Sequence, residues 1–113
     1  MANNYKNAKV DLTSTAATTL YTGPTATTAI VKSILVSEDS GNADTVTLTL
    51  TNSAGTIFSL FKVKAVGANT TVELLSNPIV VEEAEILKAT AATADRLHVV
   101  ASLLKYKRKV LLW

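Results

Sequence analysis

The sequence predicts an all-β protein, an antiparallel β-sandwich or small barrel of the jelly-roll or immunoglobulin-like kind with about eight strands. Three observations lead to this prediction. Apolar residues recur mostly at every second position, threonine is abundant, and Gly, Pro, Asn or Asp separate the short apolar runs. The 113 residues suffice for one domain with a modest core. We expect residues 1–104 to form this domain and residues 105–113 to form a basic and apolar C-terminal tail.

The clearest strand is "DTVTLTLT" at 44–51, where Val46, Leu48 and Leu50 alternate with threonines. This spacing predicts one buried and one solvated face. The run at 27–38 is apolar on both faces in its middle, which predicts a central strand, and "NSAG" at 52–55 reads as a hairpin connection. In chain order the predicted strands are 8–14, 18–22, 27–38, 44–51, 56–66, 70–75, 79–82, 84–91 and 95–104.

A helix is a second interpretation of one stretch, residues 81–94, where Ala and Glu are frequent. The β-branched residues and the alternation that follows favour strands there. The polar segment before Lys9 and the tail after Leu104 are the only candidates for mobile ends, although Lys105 and Tyr106 could extend the last strand.

Composition excludes several classes of site. The chain has no Cys, which removes disulfides, thiolate nucleophiles and Cys-based zinc sites. Aromatic residues make up 5% of the sequence, so the predicted core is aliphatic. No run reaches the roughly 18 apolar residues of a membrane span, and the polar N-terminus lacks the apolar region of a secretory signal. We therefore expect no membrane partner.

Catalytic chemistry has little support in the sequence. The single histidine, His98, lies in a strand and is expected to be an ordinary surface or partly buried residue. No phosphate-binding Gly-rich motif occurs, so we expect no enzyme activity and no cofactor. Two acidic groups, Asp39 with Asp44 and the cluster Glu82, Glu83 and Glu85, could bind a cation, but we expect the first to be turn residues and the second to be a solvated rim. "NTT" at Asn69 matches a glycosylation acceptor and is expected to be a turn.

The C-terminal tail holds four of the eleven basic residues, whereas the first 104 residues hold seven basic residues and all nine acidic ones. A basic tail on a faintly acidic body is weak support for specific nucleic-acid binding by the fold. The tail could contact phosphates, a membrane surface or a neighbouring subunit, or extend into solvent without a function. The candidate partner-binding residues are Lys105, Lys107, Arg108, Lys109, Leu111, Leu112 and Trp113.

The order of several segments across residues 18–104 resembles small virion structural proteins of tailed bacteriophages, especially those of marine and cyanobacterial hosts. The segments are "LYTGP", "TAIVKSILV", "ADTVTLTLT", "GANTTVELL", "LKATA" and "LHVVASLL". The resemblance implies a non-enzymatic all-β virion module that is assembled in the host cytoplasm. It also implies symmetric association, as trimers or larger rings, with other virion proteins as partners.

Within that resemblance, a decoration or cement protein on the capsid exterior is the leading hypothesis. A neck, tail or fibre-associated component is the alternative, as is a receptor- or glycan-binding module using the scattered Tyr5, Tyr21, Tyr106 and Trp113. The resemblance implies nothing about residues 105–113, because the tail departs from the pattern of the group.

Overall fold

The structure is a computed structural model that describes residues 3–107. Within this range it contains nine strands and no helix, which confirms the predicted all-β class. The strands are β1 (Asn3–Leu12), β2 (Thr18–Thr22), β3 (Thr27–Glu38), β4 (Asp44–Thr51), β5 (Ile57–Val66), β6 (Thr71–Glu73), β7 (Ile79–Val81), β8 (Ile86–Ala91) and β9 (Leu97–Lys107). The predicted strands at 18–22, 27–38 and 44–51 have the predicted bounds.

The strands form two antiparallel sheets, so the fold is a sandwich and not a closed barrel. Sheet A has the order β1–β9–β3, and both β6 and β7 pair with the far edge of β3. Sheet B has the order β2–β8–β4–β5. When β6 and β7 are counted as one interrupted strand, successive strands alternate between the sheets except at the β4–β5 hairpin. This is the eight-stranded jelly-roll order.

An aliphatic core lies between the two sheets, as the composition predicts. Val46 and Leu48 of β4 are fully buried, and the intervening threonines face outward. Sheet A contributes buried side chains from β1, β3 and β9, including Leu12, Ile34 and Val99. At about 25 cal/mol per Å² of apolar area removed from water, this burial is the main force that holds the sheets together.

The segment before Lys9, a candidate mobile end, is part of a strand in the described residues. β1 begins at Asn3 and pairs residue for residue with β9 over ten positions, from Asn3 opposite Tyr106 to Leu12 opposite Leu97. Backbone hydrogen bonds to β9 hold the first half of β1 in the sheet, so this part of the strand forms without an alternating apolar pattern. Residues 4–7 are all exposed, because they lie beyond the part of the strand that covers the core.

The last strand is longer than the predicted 95–104, since β9 runs to Lys107. Lys105 pairs with Asn4 on one side and Ala29 on the other, and Lys107 pairs with Thr27. The first three residues of the predicted tail therefore belong to sheet A. Residues 108–113 lie outside the described range.

The stretch 81–94 is strand and turn and not helix, as the alternation favours. β7 ends at Val81, a four-residue turn follows, and β8 begins at Ile86. Ala84 in this turn has a φ of 67°, a left-handed conformation that interrupts a strand. The predicted strand at 84–91 therefore starts two residues too early.

Candidate assembly surface

Seven tail residues are predicted to bind a partner, and the structure describes two of them. Lys105 is half-buried and Lys107 is exposed at the end of β9. The other five, Arg108, Lys109, Leu111, Leu112 and Trp113, lie outside the described residues. Contact between these seven residues and a partner stays a prediction.

An exposed row of apolar side chains crosses the outer face of sheet A. Tyr5 of β1 is paired with Leu104 of β9, Leu104 with Ile30 of β3, and Ile30 with Val80 of β7. We call these four residues the outer apolar row. Tyr5 is 74% exposed and Val80 is 50% exposed, whereas Leu104 and Ile30 are half-buried.

The period of two residues per strand explains why this row faces outward. The neighbours of the row along three strands, Val31, Val81 and Leu103, point inward and are buried. The outward positions beside them would ordinarily be polar, as they are in β4. A contiguous apolar surface on a solvent face marks an interaction site more often than a scattered exposed residue does.

The outer face carries two further apolar features close to this row. Tyr106, 43% exposed, lies one outward position beyond Leu104 on β9. Leu35 and Val100, opposite each other on β3 and β9, are 40% and 36% exposed. Tyr106 therefore extends the outer apolar row along β9, whereas the outward-facing Ser102 separates the row from the Leu35–Val100 pair.

A cation–π contact fixes one end of the surface. The Nζ atom of Lys32 lies 5.8 Å from the centre of the Tyr5 ring. The two residues belong to the strands that flank β9, and Asn7 and Ser102 line the depression between them. The register of β3 against β9 shifts between Val31 and Ser33, so Lys32 occupies an irregularity that interrupts the alternation.

The acidic cluster forms the turn that follows β7, and Glu82 and Glu83 are exposed there, as expected of a solvated rim. The Glu85 carboxylate accepts a hydrogen bond from the Glu82 N–H at 2.9 Å, and the Glu83 carboxylate accepts one from the Ala26 N–H at 3.2 Å. The Gly23 N–H donates to the Glu85 carbonyl at 2.8 Å, while the Gly23 carbonyl accepts from the Ala84 N–H at 2.9 Å. The cluster is therefore a tightly bonded turn, which presents two carboxylates beside the end of β7.

A buried carboxylate, which the sequence interpretation missed, holds the opposite end of β3. Glu38 is 2% exposed and accepts hydrogen bonds from the N–H groups of Ser40, Gly41 and Asn69 at 2.7, 3.1 and 2.9 Å, and from the Ser40 hydroxyl. Burial by itself raises the pKa of Glu38. The hydrogen bonds from the Ser40 hydroxyl and from these backbone groups outweigh it and lower the pKa to about 2. The residue is a structural anchor for two loops.

The Glu73 carboxylate has a similar role at the irregularity of β3. It accepts hydrogen bonds from the Ile34 N–H at 2.8 Å, from the Leu75 N–H at 3.2 Å and from the Ser33 hydroxyl. Burial by itself raises the pKa of Glu73, but the hydrogen bonds from Ser33, Ile34 and Leu75 outweigh it and lower the pKa below its ordinary value. This carboxylate bridges the gap between β6 and β7.

His98 lies on the outer face of β9, and its side chain is 43% exposed, which confirms the predicted partly buried position. Its Nδ1 contacts the Asp11 carboxylate, and its Nε2 lies 3.2 Å from Asp39 Oδ1. Both ring nitrogens therefore face carboxylates, whereas in a catalytic triad one ring nitrogen faces the nucleophile.

The candidate cation ligands Asp39 and Asp44 have separate partners. Asp39 contacts His98, whereas Asp44 is 8% exposed and accepts a hydrogen bond from the Thr93 N–H at 3.0 Å. Residues 3–107 contain no group of three or more His, Asp or Glu side chains arranged to hold a metal ion. Asn69 has a φ of 54°, which confirms the turn expected at "NTT". No helix within residues 3–107 has the length and apolar character to cross a membrane.

Comparison with known proteins supports the fold. No protein family model matches the sequence, and no curated protein matches it. A solved Bacillus endospore appendage, from a family of disulfide-linked pili, is similar with a TM-score of 0.59 and 11% identity over 96% of this chain and 88% of that chain. A structure of infectious bursal disease virus, Gt strain, gives a TM-score of 0.27 and 10% identity over 97% of this chain and 36% of that chain. The first likeness shows a shared fold, and the second is too weak to carry an argument.

Proposed function

We propose that this protein is a non-enzymatic structural subunit of a tailed bacteriophage virion, bound on the capsid exterior as a decoration or cement protein. The observation that carries the proposal is the exposed outer apolar row on a complete jelly-roll body. Tyr5 and Val80 expose apolar surface at opposite ends of a row that the fold itself does not cover. Packing against another subunit removes such surface from water.

The chemistry of the described residues favours structure over catalysis. The most strongly bonded ionisable side chain, Glu38, is committed to loop N–H groups and is buried, so it has no access to a substrate. Glu73 and Asp44 likewise bond backbone N–H groups. These three carboxylates therefore stabilise the backbone through hydrogen bonds and are not placed as catalytic groups.

Two likenesses support the assembly role. The segment order over residues 18–104 resembles small virion proteins of tailed phages, and the Bacillus appendage with the same fold is a disulfide-linked pilus. Jelly rolls also recur in viral capsids and lectins, which is a fold-level analogy. The 113 residues contain no Cys, so these residues cannot link subunits by disulfides. The proposed association is through closed symmetric contacts, such as those of a trimer.

Copy number tests the proposal. Purified virions are analysed by quantitative mass spectrometry against the major capsid protein. A decoration protein is present in numbers that follow the capsid subunits. On the order of a dozen copies or fewer would reject decoration in favour of a neck or tail position, and absence from the virion would reject the structural role.

A carbohydrate-binding module is the second candidate, because Tyr5 and Tyr106 are both exposed on the outer face of sheet A. Aromatic faces stack on sugar rings, but the Tyr5 ring already carries the Lys32 cation. A glycan array probed with the wild type and with Tyr5→Ala separates the two candidates. Binding that is lost in Tyr5→Ala would favour the receptor-binding role.

A further inference from the structure

We propose that residues 110–113 of one copy dock on the outer apolar row of a second copy. The inference rests on the proposed role as a self-associating structural subunit and names both halves of the contact. The receiving half is Tyr5, Leu104, Ile30 and Val80, and the docking half is "VLLW".

The dimensions of the two halves agree. The row occupies adjacent positions on four strands, which at a spacing of about 4.8 Å between strands span about 14 Å. The four α-carbons of an extended "VLLW" span three intervals of about 3.3–3.6 Å, or about 10–11 Å, and the side chains at its two ends lengthen this reach. "VLLW" can therefore lie across the whole row, from β1 to β7.

The point where the described chain ends favours a second copy as the receiver. β9 is still paired with β3 at Lys107, three residues beyond Leu104 of its own row. To reach that row, the chain would have to reverse direction within residues 108–109. These residues are Arg and Lys, and the whole segment 105–113 lacks Gly, Pro, Asn, Asp and Ser, the residues that form tight turns. We therefore assign the row of a second copy, and not the row of the same chain, as the receiver.

Charge gives the contact a direction. Arg108 and Lys109 precede "VLLW" directly, and Glu82 and Glu83 follow Val80 by two and three residues. Both glutamates are exposed at the β7 end of the row. A tail that enters from the β7 end places its cations beside this acidic turn, while its apolar residues continue toward Tyr5.

Trp113 is the only tryptophan of the chain and reports on the contact directly. In the full chain we expect its emission to shift to shorter wavelength as concentration rises, in parallel with the mass measured by sedimentation equilibrium. Val80→Asp places a carboxylate in the row and should weaken association at least about tenfold. Ile57→Asp is the matched control, since Ile57 is 65% exposed on the edge strand of the other sheet, and it should change association by less than about twofold.

A mixing experiment identifies the two halves. The deletion of residues 110–113 keeps the row but has no tryptophan, whereas Val80→Asp keeps the tail and its tryptophan. Addition of the deletion variant to Val80→Asp should shift the Trp113 emission, and addition of a deletion variant that also carries Val80→Asp should not. An emission that the first addition leaves unchanged would overturn the proposal. So would a blue-shifted emission in the wild type at every concentration, which would indicate docking within one chain.

The outcomes separate this contact from the proposed function. If mixing restores the contact but virions lack the protein, the contact stands and the virion role fails. If the protein is abundant in virions but mixing changes nothing, the virion role stands and this contact is wrong.

Discussion

The carboxylate of Glu38 accepts a hydrogen bond from the N–H of Asn69, 31 residues further along the chain, at 2.9 Å. Glu38 is the last residue of β3, and Asn69 lies in the loop between β5 and β6. The same carboxylate bonds Ser40 and Gly41 in the β3–β4 turn. One buried side chain thus closes two loops at one end of the sandwich.

Replacement of Glu38 tests this relationship through pH. The folded-state pKa of Glu38, about 2, lies below the ordinary value of 4.5, so its contribution to stability is complete above pH 4.5 and is lost as the pH falls toward 2. We expect Glu38→Gln to lower the unfolding midpoint at pH 7, because the amide offers one acceptor oxygen where the carboxylate offers two. The gap between wild type and variant should narrow between pH 4.5 and 2. Urea unfolding at several pH values measures this difference in midpoint, with the exposed Glu82→Gln as the control. A difference between wild type and Glu38→Gln that stays constant with pH would contradict the lowered pKa of Glu38.

Gly23→Ala tests the close approach of β2 to the acidic turn. A Cβ atom at Gly23 would lie 2.0 Å from the carbonyl oxygen and 2.9 Å from the carbonyl carbon of Glu82, and both of these atoms belong to the backbone. This clash is relieved only if the acidic turn moves, so we expect Gly23→Ala to lower the free energy of unfolding by about 2 kcal/mol or more. Gly67→Ala is the control, because its nearest atom is the Thr70 side-chain oxygen at 3.3 Å. Equal effects of the two changes would show that the turn can yield.

Val63→Gly is expected to be neutral or stabilising by up to about 1 kcal/mol, against the usual effect of glycine in a strand. Val63 has a φ of 53°, a conformation that a β-branched side chain adopts at a cost, and it is 60% exposed. Val80→Gly is the matched control, since Val80 is similarly exposed in a strand and has no positive φ. Val80→Gly should lower the free energy of unfolding by about 1 kcal/mol. Chemical denaturation measures the free energy of unfolding of both variants. A larger loss for Val63→Gly than for Val80→Gly would contradict the claim that the backbone is strained at Val63.

Deletion of residues 108–113 should leave the body folded, because β9 remains paired on both sides up to Tyr106 and Lys107. The thermal midpoint should stay within a few degrees of the wild type, while self-association falls. Deletion from Leu103 onward is the contrasting variant, since Leu103 is 2% exposed and its loss opens the core at a cost of about 2–5 kcal/mol. If the shorter deletion also unfolds the body, the tail is part of the fold.

Local alternation predicted much of the fold. The threonine pattern of 44–51 predicted both bounds of β4, in which the buried Val46 and Leu48 alternate with half-buried threonines. The alternation failed at Lys32, where an irregularity shifts the buried positions of β3 from odd to even numbers. It also failed for the start of β1, which depends on backbone pairing with β9 and leaves no apolar signal.

The candidate surface was harder to predict, for a physical reason. Tyr5, Ile30, Val80 and Leu104 are distant in sequence and become neighbours through the register of four strands. The sequence interpretation placed the partner-binding residues in the tail alone, because a basic and apolar run is visible without a structure. Glu38 was missed because a single glutamate before a Ser-Gly turn resembles an ordinary solvated residue.

A cryo-electron map of the intact virion tests the structural role most directly. We expect density for this jelly roll repeated over the capsid exterior, with the outer face of sheet A, including Tyr5 and Val80, covered by a neighbouring subunit. A map in which no copy is present on the particle would contradict the proposed function, and a map in which that face is open to solvent in every copy would contradict the assembly surface.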